Sequence, residues 1–196
     1  MHDESVYLGL GSNVGDRAAH LRAALTELQQ RGLRLLAVSS FYLTEPDLRV
    51  ASADGDHSTM PRDAADAGGR TDHPWYVNCV ASFDGAPAPR ALLDLCLDVE
   101  RQHGRERRDS GPTVNGLQPR TLDIDLLLVG ERIIDEPGLK VPHPRMTQRR
   151  FVLQPLAEIA PRIRHPLAGV SVEDLLAALP QREAVSILEP ALSVIL

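Results

Sequence analysis

The fold of this chain is decided by its first strand–turn–helix unit, residues 5–30, which read SVYLGLGSNVGDRAAHLRAALTELQQ. Ser5 to Leu10 is predicted as a strand, because aliphatic and aromatic residues dominate it and the glycine-rich run GSNVG follows. Leucines recur at positions i, i+4 and i+7 within residues 17–30, which predicts an amphipathic helix. We expect Asp16 to cap that helix and Gly32 to end it.

The elements that follow complete an order of strand, helix, strand, strand, helix, strand. Further strands are predicted at Leu33–Leu43, Tyr76–Phe83 and Leu122–Val129, and a second helix opens with Pro87 and Pro89. The last four residues of the fourth strand are all apolar, so both of its faces should be buried. This order is the split βαβ arrangement of ferredoxin-like folds, and it predicts an α+β fold with an antiparallel sheet and helices on one face.

A C-terminal helical extension is predicted after this core. A turn-rich piece comes first, and helical segments follow near Val152–Ile159 and Glu173–Leu179. Ser171 and Asp174 fit a capping box for the second of these helices. Val185–Leu188 is predicted as a final edge strand.

Two segments interrupt the elements of the core. Residues 47–75 contain almost nothing that could build a hydrophobic core, and residues 108–119 are rich in glycine and proline. Loops of that length inside a compact domain are usually functional or disordered. We therefore expect both segments to be extended loops of a single domain that covers residues 1–196.

The composition argues against several classes of protein. Apolar residues make up 43% of the chain and charged residues 24%, which is typical of a globular domain. The formal net charge of −6 argues against a general nucleic-acid binder, which presents a basic face. We expect no secretory signal and no membrane span, since no apolar run is long enough. Cys79 and Cys96 are too few for a disulfide framework, so a cytoplasmic protein with two buried free thiols is expected.

Asp123 and Asp125 are the strongest candidates for chemistry. Strand residues two apart point to the same face, roughly 7 Å apart, and two adjacent carboxylates repel each other unless a cation lies between them. Oxygen ligands without Cys or His suit Mg²⁺, which often binds substrate phosphates as well. Arginines crowd the segment upstream, and arginine grips phosphate oxygens in a bidentate fork. The alternative is that Arg120 neutralises the pair at the surface, and the spacing alone does not separate the two hypotheses.

Two further groups of residues could take part in a site. His143 lies between two prolines and could contact phosphate together with Arg149, or it could be a half-buried loop histidine. Tyr76, Asn78 and Phe151 could hold a flat polar heterocycle, with two rings to stack and an amide to form hydrogen bonds. The alternative for these three is an ordinary place in the core.

Six stretches of the sequence, in this order, resemble the 6-hydroxymethyl-7,8-dihydropterin pyrophosphokinase (HPPK) family of folate biosynthesis. They are YLGLGSNVGDR (7–17), SSFYLTEP (39–46), YVNCV (76–80), ERQHGRERR (100–108), PRTLDIDLLL (119–128) and VPHPRMTQRRFVLQPLAEIAP (141–161). The resemblance implies a ferredoxin-like core and the transfer of pyrophosphate from ATP to the hydroxymethyl group of the pterin, with release of AMP. It also implies a monomer that binds neither nucleic acid nor membrane.

The resemblance further implies roles for individual positions of this chain. Asp123 and Asp125 match the aspartates that hold two magnesium ions in the family. Contacts to ATP are implied at five positions: Arg105, Arg107, Arg120, His143 and Arg149. Catalytic roles are implied for the two aspartates and the first three of these arginines. Contacts to the pterin are implied at four positions: Thr44, Tyr76, Asn78 and Phe151.

The sequence departs from the family at one functional segment, and it leaves rival functions open. The family often reads Arg-Trp-Gly-Pro-Arg just before its aspartates, whereas here the tryptophan is missing and the loop is longer. Arg105 and Arg107 lie before the lengthened loop, whereas Arg120 follows it and lies three residues before Asp123. The rival functions are a two-metal nucleotidyltransferase that releases pyrophosphate, a binding-only member of the same family, and an RNA-recognition module. The last needs exposed aromatic residues and a basic face, which this composition does not favour.

Overall fold

Eight strands and four helices form the described part of the chain, which comprises residues 5–45, 75–104, 120–180 and 185–191 of this computed structural model. The strands are β1 Val6–Ser12, β2 Arg34–Val38, β3 Phe41–Thr44, β4 Tyr76–Asp84, β5 Asp123–Val129, β6 Ile134–Glu136, β7 Leu139–Val141 and β8 Val185–Glu189. The helices are α1 Arg17–Gln30, α2 Pro89–Gln102, α3 Arg150–Ile159 and α4 Val172–Ala178, with a short 3₁₀ helix at Met146–Gln148.

The main sheet is antiparallel throughout. Its order is β5–β1–β4–β3–β8, and β2 pairs with β4 further along the same strand. Strands β6 and β7 form a separate hairpin within the piece that was predicted to be turn-rich. The inner order of fourth, first, third and second strand is that of the ferredoxin-like core, so the predicted fold is confirmed.

Helices α1 and α2 cover one face of the sheet. They share a core with alternate residues of the central strands, including Leu8, Leu10 and Cys79. Helix α1 has the predicted bounds, and the backbone N–H of Ala19 donates to Asp16 Oδ1 at 3.1 Å as expected for the cap. Gly32 has φ 100°, a conformation that favours glycine and ends the helix.

Helix α3 lies against the opposite face of the sheet. A second core cluster joins it to Tyr7 and Val80 in the sheet and to Val172 of α4. An irregularity in the β1–β5 register brings Leu127 and Leu128 into this same cluster. The prediction of helices on one face therefore describes α1 and α2, while the C-terminal extension partly covers the second face. The uncovered part of that face is where the polar residues gather.

The predicted single strand Leu33–Leu43 is wrong at Ser39 and Ser40, where the strand breaks into β2 and β3. Ser39 Oγ accepts the Val80 N–H at 3.0 Å, and Ser40 donates through its N–H and its hydroxyl to the Glu158 carboxylate at 2.9 and 2.8 Å. Tyr42 donates its hydroxyl to the same carboxylate at 2.9 Å. The Ser39 N–H still donates to Val80 O at 2.9 Å, but side-chain partners replace the remaining strand ladder at the two serines. This cluster ties α3 to β3, the strand that ends at a candidate site residue.

The remaining predictions about the C-terminal part are confirmed. Ser171 Oγ accepts the Asp174 N–H at 3.2 Å, and β8 pairs with β3 at the edge of the sheet.

Cys79 and Cys96 are free thiols with 1% exposure each. Among the helices of the described segments, none combines the length and the apolar character needed to cross a membrane.

Candidate active site

The polar residues gather where four strands meet at one edge of the sheet. Strands β1 and β3 end at this edge, and β4 and β5 begin there, because neighbouring strands run antiparallel. Gly11 of β1 pairs with Asn78 on one side and with Asp123 on the other. Gly9 pairs in the same way with Val80 and Asp125. Gly9 and Gly11 thus form a strip of β1 without side chains on this face. The strip separates Asn78 from the two carboxylates.

The two aspartates of β5 point away from the core of α1 and α2, as predicted. Ile124 and Leu126 alternate with them and belong to that core. Asp123 accepts from Arg120 Nη1 at 2.5 Å, so the ion pair considered as an alternative is present. Asp125 has different neighbours, which belong to the segment between β7 and α3.

Two cationic or polar side chains approach Asp125 from that segment. Its Oδ2 atom lies 3.7 Å from Arg149 Nη1 and 3.9 Å from His143 Nε2. Both distances exceed a hydrogen bond, so these contacts are electrostatic. Burial first, and the adjacent Asp123 second, raise the pKa of Asp125 above its usual value, while His143 and Arg149 oppose the shift. A cation bound between the two carboxylates would favour the ionised form of Asp125 and oppose this shift.

The same two carboxylates act electrostatically on the Arg120 guanidinium. Burial alone would lower the pKa of its guanidinium, but Asp123, Tyr76 and Asp125 together raise it. Burial raises the pKa of the Tyr76 phenol, and Arg120 opposes that shift. Tyr76 therefore lies close enough to Arg120 and Asp123 for their charges to act on it.

His143 has a defined hydrogen-bonding state. Its backbone N–H donates to Leu127 O at 3.0 Å, and its Nδ1 accepts the Arg145 N–H at 3.2 Å. Burial lowers the pKa of His143, although Asp125 opposes the shift. A neutral ring with Nδ1 as acceptor carries its proton on Nε2. His143 therefore presents an N–H donor toward the position in front of Asp125.

The four residues predicted to contact a flat heterocycle surround the other end of the strip. Asn78 is 8% exposed and donates from Nδ2 to Thr44 Oγ1 at 2.7 Å. Thr44 pairs with Tyr76, so both side chains stand on the face that α3 partly covers. Phe151 lies in the first turn of α3, with the Arg149 guanidinium 5.3 Å from its ring centroid. Arg149 therefore connects the ring of Phe151 to the carboxylate pair.

Some predicted site residues lie outside the described residues. Arg105 and Arg107 belong to this group, as do residues 108–119 and all but the last of residues 47–75. The other predicted site residues are described and occupy the one edge of the sheet.

Two features of the site were missed or misread in the sequence. The predicted strand stops at Leu10 and the run GSNVG was expected to follow it, which is wrong for Gly11 and Ser12 because β1 continues to Ser12. The signal was the alternation of glycine with apolar residues, since glycines two apart in a strand share one face. The second feature is Asn13, which is 2% exposed and forms two hydrogen bonds with the backbone of Arg120.

An open groove adjoins the site on the side of the β1–α1 turn. Its volume is about 560 Å³, and Asn13, Gly15, Arg17, Leu43 and Trp75 line it. Arg17 donates from Nη1 to the backbone oxygen of Trp75. The groove therefore extends from the site toward Leu43 and Trp75, which lie near the ends of two described segments.

Comparison with known proteins agrees with this geometry. The sequence model of the family described as 7,8-dihydro-6-hydroxymethylpterin-pyrophosphokinase (HPPK) matches residues 7–161. A 2-amino-4-hydroxy-6-hydroxymethyldihydropteridine pyrophosphokinase of Pseudomonas aeruginosa is 38% identical over 180 residues, which cover 90% of this chain and 93% of that protein. A protein of the same name from Methylorubrum extorquens is 35% identical over 173 residues, covering 88% of this chain and 92% of the relative.

Solved structures show the same fold. A crystal structure of an HPPK-DHPS triple mutant of Plasmodium falciparum has a TM-score of 0.61 and 13% identity to this chain, and the match covers 88% of this chain and 42% of that one. The wild-type HPPK-DHPS structure of that organism gives a TM-score of 0.59 at 14% identity, with 88% and 44% coverage. With a family match over residues 7–161 and relatives above 30% identity along most of its length, this chain belongs to the 7,8-dihydro-6-hydroxymethylpterin-pyrophosphokinase family.

Proposed function

We propose that this chain transfers pyrophosphate from ATP to the hydroxymethyl group of 6-hydroxymethyl-7,8-dihydropterin, with release of AMP, using Mg²⁺ held by Asp123 and Asp125. Family membership makes the chain a pyrophosphokinase of folate biosynthesis, with ATP as co-substrate and the pterin as acceptor. The observation that carries the finer proposal is the pairing of Gly11 with Asn78 on one side and Asp123 on the other. A substrate that lies across Gly11 can contact the Asn78 amide, which can form hydrogen bonds with a heterocycle, and the two carboxylates at the same time.

The end of the strip at Asn78 suits the pterin. Because Asn78 Nδ2 donates to Thr44 Oγ1, the Oδ1 atom of the amide is oriented as an acceptor for a ring N–H. The Thr44 hydroxyl keeps a proton that it can donate. Tyr76 and Phe151 add aromatic surface from the sheet and from α3, which suits a planar ring. These features support the proposal that the four residues contact the pterin.

The other end of the strip suits phosphate. Arg120 and Arg149 supply guanidinium groups, and His143 supplies a neutral N–H donor from Nε2. All three lie around the Asp123–Asp125 pair, so phosphate oxygens bound by the cations would meet a metal held by the carboxylates. We extend the same role to Arg105 and Arg107 from the family resemblance alone.

The donor set fits magnesium. The two carboxylates lie on one strand face and offer only oxygen ligands. Mg²⁺ prefers such hard ligands and often binds substrate phosphates at the same time. Burial and the adjacent Asp123 raise the pKa of Asp125, so a cation bound between the two carboxylates would favour their ionised forms. When bound, Mg²⁺ would also neutralise charge that develops on the phosphate oxygens. The expected number of ions is two.

The residues of the chain act in this reaction mainly by positioning. The hydroxymethyl oxygen attacks the β-phosphorus in line, and AMP is the leaving group. Transfers of this type gain from alignment and from charge stabilisation, and a strong general base is not required. Asn78 and Thr44 fix the acceptor, while Arg120, His143 and Arg149 fix the polyphosphate and stabilise its charge.

Product analysis tests this function. The chain is incubated with ATP, Mg²⁺ and 6-hydroxymethyl-7,8-dihydropterin, and nucleotide products are separated by chromatography. We expect one AMP for each pterin pyrophosphate formed. Release of pyrophosphate in place of AMP would identify a two-metal nucleotidyltransferase. Calorimetric binding of both substrates without any product would identify a binding-only member of the family.

The remaining expectations about the molecule stay predictions. These are a single pyrophosphokinase domain over residues 1–196, a monomeric state and a cytoplasmic location. Light scattering coupled to size-exclusion chromatography checks the monomer against the chain mass of 21.4 kDa.

A further inference from the structure

The turn between β1 and α1 carries a buried amide that the proposed reaction does not use. Asn13 is 2% exposed, so its polar atoms need protein partners. Its Oδ1 atom accepts the backbone N–H of Arg120 at 2.7 Å, and its own backbone N–H donates to Arg120 O at 3.0 Å. One residue therefore binds both polar groups of the Arg120 backbone.

The position of the Arg120 backbone decides whether its guanidinium can contact Asp123. It lies three residues before Asp123, and its guanidinium contacts the Asp123 carboxylate at 2.5 Å. The following residue is also anchored, because Thr121 Oγ1 donates to His103 O at 2.6 Å at the end of α2. The approach to β5 is thus attached to two different elements, of which the β1–α1 turn holds the arginine itself.

A fixed backbone limits where the guanidinium can go. With the Cα atom of Arg120 held by Asn13, the side chain reaches Asp123 from one defined starting point. Without the amide, the part-buried N–H of Arg120 loses its acceptor, and the backbone can shift toward another partner such as water. A displacement of about 1 Å in a positioning group can slow catalysis by roughly 100-fold.

We propose that Asn13 is a positioning residue for the transfer, which acts by holding the Arg120 backbone so that its guanidinium stays on the Asp123 carboxylate. The inference rests on the proposed function, because it assigns Arg120 the phosphate-binding role given there. Asn13 itself touches neither substrate in this scheme. Its role differs from simple fold stabilisation, since its effect passes through one other side chain.

The test compares Asn13→Ala with a matched change at the neighbouring residue, the last of β1. Ser12→Ala is the control, because Ser12 is also buried and its hydroxyl contacts Val14 O rather than Arg120. We expect Asn13→Ala to lower kcat by roughly 10- to 100-fold while each KM changes much less. Ser12→Ala should retain kcat. Asn13→Asp keeps an oxygen acceptor for the Arg120 N–H and should recover part of the loss.

A double-mutant cycle with Arg120→Ala separates positioning from stability. If Asn13 acts through Arg120, adding Asn13→Ala to Arg120→Ala should lower kcat by less than about 2-fold further. Multiplicative losses, or a loss in Asn13→Ala that matches only its unfolded fraction, would overturn the proposal.

A readout that does not depend on activity distinguishes this proposal from the function on which it rests. The Nε–H resonance of Arg120, assigned by its absence in Arg120→Lys, should be sharp in the wild-type chain and in Ser12→Ala. It should broaden or disappear in Asn13→Ala. An unchanged resonance there would overturn the positioning role, even in a chain that forms AMP. A wild-type chain that forms no AMP would overturn the proposed function, whatever the resonance does.

Discussion

A Cβ atom on Gly11 would lie 2.6 Å from Oδ1 of Asn78, a distance that side chains do not tolerate. The two residues are paired across β1 and β4, and the amide oxygen occupies the space that a side chain at position 11 would need. Asn78 can therefore hold its hydrogen bond to Thr44 Oγ1 only because position 11 is glycine. The same absence of a side chain leaves the sheet open between Asn78 and Asp123.

Gly11→Ala should impair pterin recognition. The added methyl group must displace the Asn78 amide, which breaks its alignment with the ring and with Thr44. Losing one or two such hydrogen bonds corresponds to about 10- to 100-fold weaker pterin binding, whereas nucleotide affinity should change by less than about 3-fold. Calorimetry with each ligand measures both effects.

Gly9→Ala is the matched control for this prediction. Gly9 lies on the same face of β1, but the three atoms nearest to a Cβ there belong to the Leu127 side chain, at 3.4 to 3.6 Å. That side chain can yield slightly, so pterin affinity should remain close to that of the wild-type chain. Equal losses in Gly9→Ala and Gly11→Ala would contradict the specific role of the contact with Asn78.

Asp125→Asn should abolish turnover and yet stabilise the metal-free protein. The pKa of Asp125 is raised because burial and Asp123 outweigh the attraction of Arg149 and Arg120, so the folded protein destabilises its ionised form. A neutral amide removes that penalty and also removes one of the two carboxylates proposed to hold Mg²⁺. We expect kcat to fall on the order of 1000-fold or more, and the thermal midpoint without metal to rise by about 1–4 °C.

Calorimetric scanning with and without Mg²⁺ and ATP checks the stability of this variant. The wild-type midpoint should rise when both ligands are added, because ligands that bind only the folded state stabilise it. The variant should show a much smaller rise. A lower midpoint in the metal-free variant would mean that the ion pairs of Asp125 outweigh its burial.

His165 should make the stability of the C-terminal extension depend on pH. It is 5% exposed, and its Nδ1 atom accepts the N–H groups of Leu167 and Ala168 at 3.2 and 3.1 Å. Burial lowers its pKa below the value of about 6.5 in the unfolded chain. The unfolded state then binds the proton more readily. The stabilisation is therefore complete above pH of about 6.5 and is lost as the pH falls below it.

His165→Asn isolates this effect, because Asn Oδ1 can accept the same two N–H groups and does not titrate. At pH 7.5 the variant should be less stable by no more than about 1 kcal/mol. The stability difference between the two proteins should shrink between pH 7.5 and 5.5, as measured by urea unfolding. Carboxylates titrate in both proteins and cancel in the difference. A constant difference would contradict the depressed pKa.

The sequence predicted the elements of the core well because their signals are local. The leucine spacing of α1 and the apolar run at the end of β5 depend on helix and strand periodicity, which the chain itself carries. The break at Ser39 and Ser40 could not be predicted in the same way. It depends on Glu158, more than a hundred residues away, whose carboxylate accepts from Ser40 and Tyr42.

The candidate site also contains some residues that the sequence alone indicates and others whose role depends on contacts between distant parts of the chain. Asp123 and Asp125 could be chosen from residue type and strand alternation. Asn78, His143 and Arg149 could be named as candidates with an alternative left open, and the family resemblance gave them roles. The part played by Gly11 and Asn13 could not, because each acts through a contact that only the folded chain creates. A glycine-rich run after a strand usually marks a turn, and here the sheet continues through it.

Phe151→Leu should separate pterin binding from ATP binding. The substitution keeps an apolar side chain in the first turn of α3 but removes the ring, and stacking on a planar heterocycle amounts to about 1–3 kcal/mol. Pterin affinity should therefore fall roughly 5- to 150-fold. The Arg149 guanidinium lies 5.3 Å from the ring centroid, so ATP affinity should fall as well, by less than about 5-fold.

Arg149→Ala gives the opposite pattern and completes the test of Phe151. Arg149 approaches Asp125 at 3.7 Å, on the phosphate side of the site, so its loss should weaken ATP binding more than pterin binding. Calorimetric titration of both variants with each ligand then gives four ratios to the wild-type affinity. The crossed pattern requires Phe151 to face the pterin and Arg149 to face the nucleotide. If Phe151→Leu weakened both ligands equally, its ring would act only by supporting Arg149, and the assignment of Phe151 to the pterin would be wrong.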